Sequence, residues 1–387
     1  MNDRITRDEM QKVAIVHPDL MQKGGAESVA MHILEALQDN YEVYLITYTN
    51  PDISELNSFF DTTVKDVEIE RIDGPSQWFN KVVQERVVML KNVILCRHAN
   101  AQSSNYDLLI STKNELGLNP PSIEYIHSPT FDTSQLPSSQ QNKPGTARQI
   151  YKELCMRLSN INQSVLDTTQ LLSNSEWTAN VFERTYGRRP TPVYPPINTS
   201  IFESPPWENR ENGFVVVGRI HPSKNLLKLI NIVEKVRSRG HDVHVHFAGP
   251  PSKGQYHEVI SRKHQDLPFV HLEGELSRRE LISLISSHKY ALHGKEFEHF
   301  GMSIAEYVAA GSIPFLPKSG GQVEIVDGKS ELLYSSLSGA VEQIEAVITD
   351  KELQEEIRED LRGATEKFNK KRFEEEILEI VTAVCKG

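Results

Sequence analysis

Short apolar runs rich in β-branched residues alternate along the chain with segments of helical periodicity. A strand is predicted within 12–20, KVAIVHPDL, and the helix after it carries apolar Val29, Ile33 and Leu37 at every fourth position. Further apolar runs that predict buried strands lie within 41–49, 106–112, 123–129, 214–218, 241–250, 267–285 and 289–293. Strands that alternate with helices in this way predict an α/β protein with parallel sheets.

The length of the chain and a change in its composition predict two domains. A chain of 387 residues is too long for one compact core. The segment 199–212, TSIFESPPWENREN, carries two prolines and alternating charges, and a second series of strands and helices begins directly after it. We therefore expect an amino-terminal domain over 1–198, a linker over 199–212 and a second domain over 213–371.

Composition and charge exclude several classes of function. Lys and Arg number 42 against 53 Asp and Glu, and this net charge of -11 disfavours broad nucleic-acid binding. The three cysteines are scattered, and no Cys/His cluster has metal-ligand spacing, so we expect a reducing cytoplasm, no metal and no other cofactor. The amino terminus lacks an apolar signal core, and no apolar run approaches the ~20 residues of a membrane span.

The stretch 293–321 carries the strongest candidate chemistry. It runs from a strand end through a polar loop with Glu298 to a turn at Gly301, followed by a short helix over 302–311 that contains Glu306. The first turn of a helix has N–H groups without intrahelical partners and the positive end of the helix dipole, which suit phosphate. With one carboxylate on each side of such a phosphate, the stretch predicts a site for a nucleotide-linked group.

The same residues also fit a purely structural interpretation. Ser303 and Glu306 have the spacing of a capping box, in which the glutamate bonds back to the helix start. Gly311 fits an ordinary helix C-cap. On these residues alone the ligand and the capping interpretations of Glu306 are equally supported.

Candidate ligand-binding residues follow several other predicted strands. Gly24 and Gly25 come after the first strand, where paired glycines allow a ligand close to the backbone. His127 stands at the carboxyl end of a buried strand, where ligand residues collect in open α/β sheets. Arg219 and Lys224 follow the strand FVVVG, and two cations there suit a diphosphate. A tight turn, a structural histidine and two surface cations are the alternative interpretations.

Together, these segments resemble the GT4 family of retaining glycosyltransferases. The resemblance is carried by EHFGMSIAEYVAAG, followed by PKSGGQVEIV, and by a GG-A-E segment and VGR-x4-K in the expected order. It implies the GT-B fold, which has two Rossmann-like doubly wound domains facing a central cleft. It also implies a last helix, Arg372 to Cys385, that crosses back, so that 372–387 packs on the amino-terminal domain.

The resemblance assigns roles to individual residues. Glu298 would bind the hexose hydroxyls, Glu306 the nucleoside ribose, and backbone N–H groups from Gly301 to Ser303 the diphosphate. The turn at Leu276 would contact the nucleobase through its backbone. The residues expected to be catalytic are His127, Arg219, Lys224 and Glu298. Those expected to bind the donor are Gly24, Gly25, Leu276, Phe300, Gly301, Met302, Ser303 and Glu306, with no metal ligand among them.

Within the family, YIHSP, SNSEWTANVF and VYPPIN resemble the α-1,2-mannosyltransferases that extend lipid-linked oligosaccharides. The resemblance implies GDP-mannose as a nucleotide-sugar donor, a polyprenyl-diphosphate glycan as acceptor and metal-independent transfer. A UDP-sugar transferase, a nucleotide-sugar epimerase and a noncatalytic sugar-nucleotide-binding partner are the alternatives. The helical segment 76–100 has an apolar surface interrupted by cations, which predicts a core helix or, as the alternative, peripheral membrane contact through 78–98.

Overall fold

The computed structural model describes residues 10–72, 88–141, 145–251 and 255–386, and the chain forms two compact units. The first unit comprises Met1–Pro196 and Lys370–Gly387, and the second comprises Ile197–Asn369. The end of the chain is therefore part of the first unit. The segment 199–212, for which the sequence predicts a linker, lies within the second.

In the first unit, seven strands of the described residues form one parallel sheet in the order β3-β2-β1-β4-β5-β6-β7. The strands are β1 (Lys12–Val16), β2 (Glu42–Thr47), β3 (Val67–Arg71), β4 (Leu108–Ser111), β5 (Ser122–Ile126), β6 (Gln170–Ser173) and β7 (Thr191–Pro192). The helices between them are α1 (Gly25–Leu37), α2 (Ile53–Phe60), α3 (Val88–Ala101), α4 (Thr146–Leu158), α5 (Gln163–Thr168) and α6 (Glu176–Tyr186).

The second unit holds a parallel sheet in the order β10-β9-β8-β11-β12-β13. Its strands are β8 (Glu211–Val217), β9 (His244–Ala248), β10 (Val270–Gly274), β11 (His288–Leu292), β12 (Ile313–Pro317) and β13 (Leu333–Tyr334). Its helices are α7 (Leu226–Ser238), α8 (Gln255–Asp266), α9 (Arg278–Ser287), α10 (Met302–Ala309), α11 (Gln322–Ile325), α12 (Leu337–Thr349) and α13 (Lys351–Ala364), and the last helix, α14 (Lys370–Lys386), belongs to the first unit. Short 3-10 helices cover Leu20–Gln22, Ser103–Asn105, Thr199–Ile201, Trp207–Asn209, Pro222–Lys224, Ser330–Leu332 and Thr365–Phe368.

Several inner strands of the two sheets are buried on both faces, as a parallel sheet covered by helices requires. Every residue of β4, β5 and β12 is buried. In the first unit, α14 buries Phe373, Ile377 and Val381 in one core cluster with residues of α1. The last helix is thereby an integral part of the core of the first unit.

The segment 199–212 packs closely within the second unit. The guanidinium of Arg210 is almost fully buried, and its Nη1 donates to the carbonyl oxygen of Ala310 at 2.9 Å. The indole Nε1 of Trp207 donates to Oε1 of Gln354 at 3.1 Å. These long-range contacts hold the segment in place despite its polar, proline-containing sequence.

Each sheet changes strand order at one point, which is where open α/β sheets bind ligands at their carboxyl edge. In the first unit the order reverses between β1 and β4, and in the second between β8 and β11. The helix α3 buries Val93, Leu95 and Cys96, as a core helix does. The rest of the predicted helical segment, 76–87, lies outside the described residues. Among the described residues, no helix combines the length and apolar character needed to cross a membrane.

Candidate functional site

The loop that follows β11 places Glu298 among three basic side chains. Its Oε1 lies 2.8 Å from Nζ of Lys224 and 3.4 Å from Nε2 of His293, and its Oε2 lies 2.5 Å from Nζ of Lys295. The glutamate side chain is 13% exposed. The carboxylate is therefore fixed at the reversal point of the second sheet, with a small exposed surface.

The electrostatics of this cluster set the charges of Glu298 and His293. Burial alone would raise the pKa of Glu298, but Lys224, His293 and Lys295 together outweigh burial and hold the pKa well below its usual range. Burial lowers the pKa of His293 to about 4. At neutral pH the site therefore contains an ionised carboxylate and a neutral imidazole beside the two lysines.

Glycines make room for this loop. A Cβ on Gly320, which has φ of 74°, would lie 2.4 Å from the carbonyl oxygen of Glu298. The N–H of Gly321 donates to that same oxygen at 2.8 Å. On the other side, a Cβ on Gly294 would lie 2.4 Å from the carbonyl oxygen of Lys224. The backbones on either side of Glu298 and Lys224 thus approach so closely that they need residues without a side chain.

The helix α10 begins at Gly301, and this start rules out the capping-box interpretation. Gly301 is the N-cap with φ of 115° and has no side chain to bond to the N–H groups of the first turn. Glu306 does not reach back to the helix start, because its Oε1 pairs with Nη1 of Arg278 at 2.6 Å. Backbone donors around Met302 and Ser303 are accordingly not taken up by a capping side chain. Gly311 has φ of 73°, as expected after a helix end.

Side chains on α10 and just before it anchor the helix in the second unit. Phe300 is buried and packs edge-on against Phe368 with ring centroids 5.4 Å apart. The backbone N–H of Val217, at the end of β8, donates to the hydroxyl of Tyr307 at 2.6 Å. Phe300 therefore offers a ligand only its backbone, and Tyr307 fixes the helix to the strand that leads to Lys224.

The remaining predicted donor residues of the second unit lie on turns. Arg219 is exposed just after β8, whereas Lys224 turns inward to Glu298. Leu276 is half-buried between β10 and α9, two residues before Arg278. The two cations predicted as a pair are thus in different environments: one is exposed, and the other is an ion-pair partner of the predicted sugar-binding carboxylate.

In the first unit, Gly24 and Gly25 are exposed at the start of α1. The N–H of Gly24 donates to Oε2 of Glu27 at 2.9 Å, and a Cβ on Gly24 would lie 2.6 Å from that oxygen. The buried carboxylate of Glu27 also lies 2.7 Å from Nζ of Lys113 and 3.3 Å from Nε2 of His17. The paired glycines therefore cover a buried charged network at the reversal point of the first sheet.

His127 follows β5 with its ring 5.0 Å from that of Tyr125. Its buried Nε2 has no hydrogen-bond partner within the described residues, and burial lowers its pKa to about 3. Asn114, with φ of 68°, holds the loop by accepting the N–H groups of His127 at 2.7 Å and Ser128 at 3.0 Å. A neutral, buried and unpaired imidazole nitrogen is suited to a ligand hydroxyl.

Several members of these clusters are absent from the sequence predictions. Lys295 could have been found, because it lies three residues before Glu298 in the same loop. Arg278 could not, because α9 and α10 are separate elements that tertiary packing brings together. Asn114 and Lys113 could not have been predicted either, since nothing in their local sequence distinguishes them from other loop residues.

Comparison with known proteins gives this geometry a context. Residues 198–364 match the family model of glycosyl transferases group 1, which spans nearly the whole second unit. A mouse protein, GDP-Man:Man(3)GlcNAc(2)-PP-Dol alpha-1,2-mannosyltransferase, is 24% identical, over 95% of this chain and 85% of its own. The Dictyostelium discoideum protein of that name is 22% identical, over 97% of this chain and 86% of its own.

Solved structures share the architecture. The Anabaena protein HepE in complex with UDP and glucose superimposes with a TM-score of 0.68 at 15% identity, over 96% of this chain and 100% of that chain. This likeness confirms the predicted fold class, an α/β protein with two parallel sheets whose structural neighbours have the GT-B fold. Residues 198–364 thus match the group 1 glycosyltransferase family, and the protein is a glycosyltransferase with the GT-B fold.

Proposed function

We propose that this protein is a retaining hexosyltransferase that moves mannose from GDP-mannose to a glycan carried on a polyprenyl diphosphate. The mouse and Dictyostelium relatives, aligned over nearly the whole chain, are named for such a reaction. The structural observation that supports the proposal is the ionised Glu298. Lys224, Lys295 and His293 hold it at the reversal point of the second sheet.

On the donor side, the proposal assigns Glu298 to the hexose and Glu306 to the ribose. An ionised carboxylate accepts hydrogen bonds from sugar hydroxyls, and its lysine partners keep it ionised during turnover. The contact described between Arg278 and Glu306 uses Oε1 of the carboxylate. We assign the other oxygen, Oε2, to the ribose. Leu276 lies close in sequence to Arg278, and we assign its turn to the nucleobase.

The chemical step breaks the bond between the anomeric carbon and the phosphate oxygen, so negative charge develops on the leaving diphosphate. We assign the stabilisation of this charge to Lys224, Arg219 and the start of α10, where Gly301, Met302 and Ser303 present backbone N–H groups. These groups supply positive potential without a metal ion, and we therefore propose metal-independent transfer. Attack on the same face as departure, through an oxocarbenium-like state, would retain the anomeric configuration.

The first unit supplies the remaining proposed residues. His127 has a neutral imidazole whose buried Nε2 is free to bond a sugar hydroxyl. Gly24 and Gly25 expose the backbone at the start of α1, which is 13 residues long and has its positive dipole end at this point. We assign the glycine pair to the donor phosphates and His127 to the reacting sugar.

A lipid-linked acceptor would require contact with a membrane surface, and we propose a peripheral protein on the cytoplasmic face. The described part of 78–98 buries Val93, Leu95 and Cys96, whereas Val88 is 48% exposed. On α4, Ile150, Leu154 and Leu158 recur at every fourth position and are 63%, 53% and 37% exposed. This exposed stripe supports α4, together with the start of α3, as the membrane-facing surface.

The test is calorimetric binding of GDP, UDP and ADP and of their sugar conjugates, in the presence of EDTA. Tight GDP binding, followed by mannose transfer from GDP-mannose to a lipid-linked oligosaccharide, is the expected result. Preference for a UDP-sugar would agree with the proposed transferase activity but would show that GDP-mannose is not the donor. Conversion of a sugar nucleotide without an acceptor would identify an epimerase, and failure to bind any nucleotide would identify a noncatalytic partner.

A further inference from the structure

A second polar cluster lies at the amino-terminal edge of the second sheet, where the predicted donor site has no residues. Glu211, His244 and His288 are the first residues of β8, β9 and β11, three adjacent strands of the sheet. His246 lies two positions along β9, on the same face as His244. One ligand atom from each of these four residues lies within 4.8 Å of the other three. We call these four residues the edge cluster.

The shortest distances within the edge cluster are those of a tetrahedral metal site. Nε2 of His244 lies 3.2 Å from Nε2 of His288 and 3.3 Å from Oε2 of Glu211. Nε2 of His288 lies 3.8 Å from the same carboxylate oxygen. Metal–ligand bonds of about 2.0–2.2 Å in tetrahedral geometry place ligand atoms about 3.4 Å apart. Three ligand atoms are thus already spaced for one small cation.

The backbone makes room for this arrangement. Gly213 pairs with His244 in the register of β8 and β9, and a Cβ on Gly213 would lie 2.3 Å from Nε2 of His244. The absence of a side chain at this one position lets the imidazole lie across β8. There it reaches His288 on the far side of that strand.

In His288 and His246, the ring nitrogen that does not face the cluster has an acceptor. Nδ1 of His288 lies 2.8 Å from the carbonyl oxygen of Leu284, so its N–H donates there and Nε2 keeps its lone pair. Nδ1 of His246 lies 2.7 Å from Oε1 of Glu273, which leaves Nε2 of His246 as the available ligand atom. A carboxylate or carbonyl behind each imidazole is the usual support of metal-binding histidines. The ring of His271 stacks on His246 with centroids 4.5 Å apart and fixes its plane.

The edge cluster is also accessible. A cavity of about 440 Å³ is lined by Glu211, His244 and His246, together with Arg237 and Phe269. The side chain of Glu211 is 55% exposed, while that of His288 is 1% exposed. An ion can therefore enter from solvent on the carboxylate side.

We propose that Glu211, His244, His246 and His288 bind a divalent transition-metal ion, which we identify as Zn²⁺. Three imidazoles and one carboxylate match zinc, whereas Mg²⁺ and Ca²⁺ prefer sites built from oxygen. Because the ligands come from β8, β9 and β11, the ion would cross-link three strands. The site lies at the opposite strand ends from Glu298 and is a structural site, separate from the transfer chemistry.

The proposal is tested on the full chain, first stripped of metal with a chelator and then titrated with ZnCl₂ by calorimetry. We expect one ion per chain and a higher unfolding midpoint with Zn²⁺, because binding to the folded state stabilises it. Glu211→Gln and His246→Gln should each weaken Zn²⁺ binding at least about tenfold, since even loss of supporting groups around a metal costs ~10–100-fold. His257→Gln, a change of a half-buried histidine on α8, should bind like the parent.

Two further measurements make the result decisive. Gly213→Ala keeps all four ligands but places a methyl group where His244 lies, so it should also lose Zn²⁺ affinity. Co²⁺ bound to the parent should give the visible absorption of a four-coordinate ion. Absence of one-to-one binding overturns the proposal, and so does Zn²⁺ affinity that Glu211→Gln and His246→Gln leave unchanged. Equal losses in His257→Gln would show general surface binding and would overturn it as well.

Discussion

Glu298 is the residue on which the proposed donor site depends most. Glu298→Gln removes the negative charge but keeps the size of the side chain, and it leaves Lys224 and Lys295 without their carboxylate. We expect kcat/KM for transfer to fall about 10²–10³-fold, the usual effect of removing one preorganised polar group. The measurement is steady-state transfer at saturating acceptor.

The matched control for this change is two residues away. Glu296→Gln alters an exposed carboxylate of the same loop, whose Oε1 lies 3.5 Å from Nζ of Lys228. It should transfer mannose at nearly the parental rate. A Glu298→Gln protein that does the same would remove Glu298 from the sugar site.

Arg278 is a positioning residue in the proposal, since it acts through Glu306. Arg278→Gln removes the ion pair at 2.6 Å and frees Glu306 to rotate. We expect KM for the sugar nucleotide to rise at least about tenfold while kcat changes little, because a charge-assisted hydrogen bond contributes ~1.5–3 kcal/mol. Arg279→Gln, a change of the exposed neighbour, should leave KM unaltered. A fall in kcat alone would contradict the role in donor binding.

At the scale of elements, the loop from β11 to α10 is held by backbone contacts that only glycine permits. Gly320→Ala would place a methyl group 2.4 Å from the carbonyl oxygen of Glu298. We expect a large loss of transfer activity, because the loop must move to relieve this overlap. Gly328→Ala is the control, since Gly328 has φ of 70° but nothing within 4 Å of its Cβ position.

The comparison of these two variants separates backbone strain from displacement of the loop. Gly328→Ala should lower the unfolding free energy by ~1–2 kcal/mol, the cost of a left-handed conformation for alanine, and Gly320→Ala by at least that much. Only Gly320→Ala should also lose activity and sugar-nucleotide affinity, measured by transfer assay and calorimetry. Equal activity in the two variants would show that the approach of Gly320 to Glu298 is unimportant for the site.

Elements with strong periodicity could be predicted from the sequence, and their long-range partners could not. The alternation of apolar runs and helices predicts the parallel sheets, and the helix over 302–311 is observed at Met302–Ala309. The ion pair between Arg278 and Glu306 joins residues from different elements. The edge cluster is likewise set by strand order and register, so spacing along the chain gives no sign of it. The prolines and charges of 199–212 predict a linker, but the segment packs within the second unit. The burial of Arg210 cannot be read from this local composition.

At the scale of the whole molecule, the two units repeat one electrostatic arrangement. At the reversal point of the first sheet, Glu27 lies 2.7 Å from Lys113 and 3.3 Å from His17. At that of the second, Glu298 lies 2.8 Å from Lys224 and 3.4 Å from His293. Each unit therefore keeps an ionised carboxylate at the strand ends by pairing it with a lysine and a histidine. This arrangement follows from the parallel sheets, because polar residues collect at the carboxyl ends of their strands.

Buried histidines of both units predict how stability depends on pH. Burial lowers the pKa of His127 to about 3, and those of His32, His293 and His299 to about 4. On unfolding, each imidazole returns to its ordinary pKa near 6.5 and takes up a proton below that pH. The contribution of these neutral imidazoles to the unfolding free energy is therefore complete above pH 6.5 and is lost as pH falls toward 4. We expect the unfolding midpoint to drop steeply between pH 6.5 and 5, as calorimetric scans with EDTA would show.

Glu115 opposes this trend and allows the sign to be checked. Burial raises its pKa to about 7, although Thr130 N–H, Phe131 N–H and the Tyr186 hydroxyl donate to its Oε1. Its contribution to stability is present below pH 4.5 and is lost as pH rises through 7. Glu115→Gln keeps an oxygen for these donors and cannot ionise, so it should raise the unfolding midpoint at pH 8 and leave that at pH 5 nearly unchanged. A variant less stable than the parent at pH 8 would show that the three donors stabilise the charged carboxylate more than burial opposes it.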